Sequence, residues 1–83
     1  MPLFMDVHRL DDSVTIDDVA KAHMADLQHQ DKYDVKYLRY WVDEAGGTIF
    51  CLAEAPSSDA AATVHREAHG LVAQDIFEVK EGS

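Results

Sequence analysis

The chain is 83 residues long and carries 16 acidic side chains against 7 Lys and Arg, which gives a formal net charge of −9. This length has room for a single domain, and a core of that size is marginal unless a metal or a partner subunit adds to it. The acidic balance argues against nucleic acid as a partner, because a protein that neutralises phosphates needs a basic face. We therefore expect one domain over residues 1–83.

The cysteine content and the N-terminal segment bear on the compartment. Cys51 is the only cysteine, so no intrachain disulfide can form, and this usage suits a reducing compartment. The segment from Met1 to Asp6 reaches a charge within six residues and has no basic region ahead of an apolar run, unlike a signal peptide or a membrane anchor. We expect a cytoplasmic protein with no membrane partner.

The first part of the chain predicts a strand and then a helix. Residues Leu3 to His8 alternate in character, which is typical of a strand with two different faces. Thr15, with Asp18 three residues on, resembles a capping box at a helix start. The helix is predicted from Ile16 to Gln30, and one stripe at helical spacing should face the sheet. Its members are Ile16, Val19, Ala20, His23 and Leu27.

The middle of the chain predicts a β-hairpin. Residues Val35 to Asp43 are β-branched and aromatic enough for a strand. Glu44 to Gly47 should form the turn, since paired glycines supply positive φ, and Thr48 to Glu54 should form the returning strand. Strict alternation along the first of these strands places Leu38, Tyr40 and Val42 on one face and Tyr37, Arg39 and Trp41 on the other.

The last part predicts a second helix and a short strand. Ser57 or Ser58 is placed as N-cap, the helix should run to His69, and Gly70 sits where a left-handed residue ends a helix. Ile76 to Val79 should form the last strand. The order β-α-β-β-α-β predicts an α+β, ferredoxin-like fold, with both helices on one face of an antiparallel sheet.

The face of the sheet away from the helices is expected to carry large aromatic side chains. We place Phe4, Tyr37 and Trp41 there, and an exposed cluster of this kind usually marks an interface or a ligand site. The favoured interpretation is a homodimer that packs sheet against sheet. The alternative is a cup between the sheets that holds a small organic ligand.

Five histidines point towards a transition metal, because histidine is its commonest side-chain ligand. His65 and His69 lie one helical turn apart, so their rings can share an ion on the protein surface. Asp6 and His8 project from one face of the first strand, and a carboxylate with an imidazole suits nickel, zinc or cobalt. His23 is a further candidate ligand. The competing interpretations are a helix-end role for His69, a hydrogen bond between Asp6 and His8, and a core position for His23.

Nearly the whole chain resembles a bacterial family of ferredoxin-like proteins that was long catalogued as a domain of unknown function. The resemblance implies a homodimer that binds nickel at the dimer surface, and a role in nickel sequestration or homeostasis. It does not by itself identify the ligands. The segments that carry it are Met5 to His8, Ala22 to Leu27, Leu38 to Val42, Phe50 to Pro56 and Val64 to Gly70.

Two other classes of function stay open beside metal binding. An enzyme acting on a small substrate in the cup would use His8 or His23 as general base, with Arg39 orienting an anionic group. A regulatory module that only dimerises would need no chemistry from its histidines. We rank catalysis below binding, because the sequence has no nucleophile and base at a recognisable spacing and no phosphate loop.

Overall fold

A computed structural model describes residues 1–82, so Ser83, the last residue of the expected domain, lies outside the described residues. Residues 1–82 form four strands and two helices in the predicted order, with a short 3-10 turn after the first helix. Within residues 1–82, neither helix is long and apolar enough to cross a membrane. The elements are β1 (Leu3–Arg9), α1 (Ile16–His29), the 3-10 turn (Gln30–Tyr33), β2 (Lys36–Asp43), β3 (Thr48–Glu54), α2 (Ser58–Ala68) and β4 (Asp75–Val79).

The strands form one sheet in the order β2-β3-β1-β4, and each neighbouring pair is antiparallel. The connection from β1 through α1 to β2 therefore skips one position, which β3 fills. This is the split β-α-β arrangement of a ferredoxin-like fold. The α+β class and the predicted order of elements are confirmed.

The ends of both helices follow the sequence signals. Thr15 Oγ1 accepts a hydrogen bond of 3.2 Å from the Asp18 amide at the start of α1. Ser57, rather than Ser58, caps α2 by accepting from the Ala60 amide. These hydroxyls satisfy amides that a helix start leaves unpaired. Gly70 has a φ of 78°, the left-handed conformation expected just after α2.

A β-bulge in β2 overturns part of the predicted face assignment. The pairing of β2 with β3 shifts between Tyr37, which lies opposite Ala53, and Arg39, which lies opposite Leu52. The extra residue reverses the alternation, so Tyr37 joins Tyr40 on the side of the sheet that the helices cover. Placing Tyr37 on the open face was therefore wrong.

Phe4 was also placed on the wrong face. Its side chain is buried in the core between the sheet and the helices, because Phe4 lies opposite Ala53 in the sheet. The core consists of Phe4, Val19, Val35, Tyr37, Ile49, Cys51, Ala53, Ala55, Ala61 and Val64.

The open face of the sheet carries two large exposed aromatic side chains. Trp41 is 46% exposed and Phe77 is 52% exposed. A shallow cavity of about 290 Å³ beside Trp41 is lined by Met5, Arg39 and Lys80, among others. The prediction of Trp41 on this face agrees with that lining.

The buried face of α1 differs from the predicted stripe. Ile16 and Leu27 are exposed, whereas Val19 and Asp26 are buried. The side chain that takes the inward position near the end of α1 is thus a carboxylate, which needs a charged or hydrogen-bonding partner there. That partner lies on α2.

Candidate metal centre

His65 of α2 is the centre of a buried polar cluster between the helices and the sheet. The residue is 1% exposed. The ring lies with Nδ1 at 2.8 Å from Asp26 Oδ1 and Nε2 at 2.9 Å from Asp6 Oδ2. Since carboxylates only accept, both ring nitrogens donate. His65 therefore joins α1 to β1.

Asp6 of β1 is held from three sides. Its Oδ2 accepts hydrogen bonds from His65 and from the Tyr37 hydroxyl, the latter at 3.0 Å. Its Oδ1 accepts from His8 Nε2 at 3.2 Å. Asp6 and His8 share one face of the strand, as predicted from the alternation, and the hydrogen bond between them matches the competing interpretation given for this pair.

His69 closes the cluster on the side nearer the surface. Its Nε2 lies 3.1 Å from Asp26 Oδ1 and 3.1 Å from His65 Nδ1. Its Nδ1 accepts a hydrogen bond from the Leu71 amide, so the proton of the neutral ring sits on Nε2 and points to Asp26. The predicted proximity of His65 and His69, one helical turn apart, is present.

The ionisation of these groups is strongly coupled. Burial alone would lower the pKa of His65, but hydrogen bonds with Asp26 and Asp6 raise that pKa to about 11. Burial would raise the pKa of each carboxylate, but hydrogen bonds with His65 and a second histidine hold the pKa of both Asp6 and Asp26 below the usual range. At neutral pH the centre of the cluster is an imidazolium between two carboxylates.

Cys51 of β3 lies opposite Asp6 and belongs to the same cluster. Burial raises the pKa of the Cys51 thiol to about 11, and the nearby His65 opposes this rise only in part. Cys51 is thus part of the buried core and also offers a sulfur atom to this polar site.

Among the described residues, two groups of side chains each bring potential ligand atoms within 4.8 Å of one another. The inner group is Asp6, His8, Cys51 and His65, and the outer group is Asp26, His65 and His69. A cavity of about 20 Å³ borders members of both groups. That volume holds about one water-sized species, so an organic substrate does not enter it.

The outer group has the geometry of three neighbouring ligands of one ion. Asp26 Oδ1, His65 Nδ1 and His69 Nε2 form a triangle with sides of 2.8, 3.1 and 3.1 Å. Neighbouring ligands of a six-coordinate ion lie roughly 3.0 Å apart when each metal–ligand bond is about 2.1 Å. Two imidazoles and one carboxylate on one face is a recurrent transition-metal triad.

Protons on His65 Nδ1 and His69 Nε2 point into this triangle. Every buried side-chain nitrogen and oxygen within residues 1–82 has a hydrogen-bond partner. An ion bound there must therefore displace the Nδ1 proton of His65. The proton of His69 would also have to move to Nδ1, where the Leu71 amide now donates. The donor set suits a transition metal, and an ion bound there would have to offset the cost of these changes.

The structure separates the predicted candidates. It brings Asp6, His8, His65 and His69 together, in the protein interior rather than on the surface, because the inward face of α2 is the one that carries His65. His23 lines the small cavity and lies against the Tyr40 ring, with 4.8 Å between centroids, but belongs to neither ligand group.

Asp26 was missed as a candidate ligand. It lies seven residues after Val19, in line with the buried face of α1. A charged residue at such a position signals a buried partner, and this signal was present in the sequence.

The enzyme hypothesis fails in the form first stated. His8 and His23 line the small cavity under the helices, whereas Arg39 lines the cavity on the open face. The sheet lies between them, so one substrate cannot contact both.

Comparison with known proteins shows the family to which the chain belongs. Residues 4–79 match the model of a family described as nickel responsive proteins like SCO4226. The chain belongs to this family. A crystal structure of SCO4226 from Streptomyces coelicolor A3(2) is similar over 98% of this chain and 99% of that one, with 42% sequence identity and a TM-score of 0.90. No curated protein sequence matches significantly.

Proposed function

We propose that this protein binds a divalent transition metal ion, with nickel as the physiological ion, at Asp26, His65 and His69. The observation that carries the proposal is the triangle of ligand atoms, whose sides match those of three neighbouring ligands. Two of the three donors are imidazole nitrogens, which favour nickel, zinc or cobalt over magnesium or calcium. Among these ions, nickel is supported by the description of the family.

The remaining predicted residues have supporting parts in this proposal. Asp6 holds Nε2 of His65 and so fixes the direction in which Nδ1 points. His8 in turn holds Asp6. Partners of this kind orient a ligating imidazole and raise its basicity. His23 lines the small cavity that would hold an ion or one of its water ligands.

The test is nickel titration of tag-free protein by calorimetry, with metal content measured independently. We expect His69→Ala and Asp26→Asn to weaken binding at least about tenfold, the size of effect seen when even an outer-sphere partner is lost. His29→Ala is the matched control, because His29 lies in the last turn of α1, its ring hydrogen-bonds with the Ala25 carbonyl, and it belongs to neither ligand group. Circular dichroism checks that each variant is folded. Binding by His69→Ala that equals the parent would contradict the proposed site.

We assign this binding to nickel sequestration or homeostasis in the cytoplasm. A sequestering protein must hold the ion and also exchange it. Because this site must release protons when it binds the ion, the bound ion can be exchanged, which agrees with such a role. Cells that produce the parent protein should tolerate toxic nickel better than cells that produce His69→Ala at the same level.

We also propose a homodimer that packs through the open face of the sheet. The support is the exposure of Trp41 and Phe77 on that face, since large exposed apolar patches usually mark an interface. A small chain with a marginal core also gains stability from a partner subunit.

Trp41→Lys should dissociate this dimer, because a charge buried at an interface without a partner costs several kcal/mol. Light scattering at micromolar concentration gives the mass. Met24→Lys is the control, since Met24 is 63% exposed on α1, away from the sheet. An unchanged dimer in Trp41→Lys would place the interface elsewhere. A parent protein that is monomeric would leave the open face free, and its cavity would then be the candidate site for a small organic ligand.

A further inference from the structure

The His65 ring separates two sets of potential ligands, one at each nitrogen. Nδ1 faces Asp26 and His69. Nε2 faces Asp6, whose cluster includes His8 and Cys51. The two nitrogens of one imidazole point away from each other, so they cannot both bind the same ion. The cluster therefore offers two positions rather than one.

We propose that the His65 imidazole bridges two divalent metal ions, an outer one held with Asp26 and His69 and an inner one held with Asp6, His8 and Cys51. The inference rests on the proposed function for the outer position and adds the inner one. It assigns Cys51 as a thiolate ligand. The inner ion is expected to be a thiophilic metal such as nickel, zinc or cobalt, because a thiolate selects softer ions than carboxylates do.

The charges of the two sets support a pair of ions. Asp6 and Asp26 are carboxylates, Cys51 becomes a thiolate when it ligates, and a bridging imidazole has lost both ring protons. Together they carry four negative charges, which two divalent ions balance. The groups are almost completely buried, and a buried site that leaves charge unbalanced is costly.

The surroundings of the inner position also suit a metal. The cavity of about 20 Å³ borders His8, Cys51 and His65 from this set and Asp26 and His69 from the outer set. Tyr37 donates to Asp6 Oδ2 and to no other side chain in the cluster. A hydroxyl at that place is a typical outer-sphere partner that orients a ligating carboxylate.

A nucleophilic role for Cys51 is the competing use of the same residues. Cys51, His65 and Asp26 form a chain of thiol, imidazole and carboxylate. However, burial raises the pKa of the thiol, whereas a nucleophilic cysteine needs a lowered one. The cavity also admits only a water-sized species. Metal ligation, which removes the thiol proton directly, fits both observations.

The experiment is cobalt titration of the full reduced chain, with a phosphine reductant and excess magnesium to occupy the acidic surface. We expect two equivalents per chain and the near-ultraviolet charge-transfer band of a cobalt–thiolate bond. Cys51→Ser should remove the band and lower the affinity for the inner cobalt ion at least about tenfold, while the outer ion binds as in the parent. His69→Ala should lower the affinity for the outer ion and keep the band. His29→Ala should change neither.

The bridge itself is tested in the zinc-loaded protein by nitrogen NMR of labelled histidine. We expect both His65 nitrogens to be bound to metal and neither to carry a proton. If one cobalt ion binds per chain without a thiolate band, and His69→Ala no longer binds it, the bridge is overturned and the proposed function stays intact. A thiolate band with a proton still on one His65 nitrogen would also overturn it. Absence of any specifically bound cobalt would contradict both proposals.

Discussion

Asp6→Ala is expected to destabilise the metal-free protein by about 3–5 kcal/mol, the usual cost of removing one partner of a buried ion pair. Asp6 is 2% exposed and accepts hydrogen bonds from His65, His8 and Tyr37. Its removal leaves the Nε2 donors of His65 and His8 without an acceptor, although the Tyr37 hydroxyl can still donate to the Ala61 carbonyl. It also leaves the imidazolium with a single carboxylate. A domain of this size has a total stability of roughly 4–12 kcal/mol, so the loss is a large fraction of it.

Urea unfolding followed by the fluorescence of Trp41, the only tryptophan, measures the effect. Asp11→Ala is the matched control because Asp11 is exposed, and exposed substitutions usually change stability by less than about 0.5 kcal/mol. Asp6→Asn keeps the side-chain volume and one acceptor oxygen, so it should fall between the two. If Asp6→Ala and Asp11→Ala unfold at the same urea concentration, the cluster does not stabilise the fold in the way described.

The sequence was most informative where one local rule decides the outcome. Helical spacing predicted that His65 and His69 meet, and strand alternation predicted that Asp6 and His8 share a face; both pairs are in contact. What spacing could not show is which face of each element turns inward. The pair on α2 was therefore expected at the surface, whereas His65 is buried.

The other differences come from tertiary structure. Asp26 and His65 are 39 residues apart in the chain, and only the packing of α1 on α2 brings them together. The bulge in β2 moved Tyr37 to the helix side, where its hydroxyl reaches Asp6. A bulge adds one residue without a turn signal, so alternation carried through it assigns the wrong face. The candidate site thus depends on one irregularity that periodicity does not reveal.

The stability of the metal-free protein is expected to be highest between about pH 4 and 6.5. The pKa of His65 is about 11 in the folded protein against 6.5 as a model value. Between these values the folded state binds more protons than the unfolded state, so stability falls as pH rises. The pKa values of Asp6 and Asp26 are lowered from 3.8. Their contribution is therefore present above pH 3.8 and is lost as pH falls below it.

Chemical unfolding at pH 5.5 and 8.5, with a chelator present, measures the alkaline side of this window. One proton contributes a slope of at most about 1.4 kcal/mol per pH unit. The thiol of Cys51 and the hydroxyl of Tyr37, whose pKa values are raised by burial, act mainly at higher pH. Repulsion from the net charge of −9 also grows with pH, but salt screens it far more than it screens buried pairs.

The fall in stability between pH 5.5 and 8.5 should therefore persist at high salt in the parent. It should be smaller in Asp26→Asn, which removes one of the two carboxylates that raise the pKa of His65. Should that variant fail to fold, nitrogen NMR of labelled histidine in the native parent gives the same information, because His65 should keep both ring protons at pH 8.5. Equal stability at pH 5.5 and 8.5, or a His65 ring that is neutral at pH 8.5, would show that the two carboxylates do not hold it as an imidazolium.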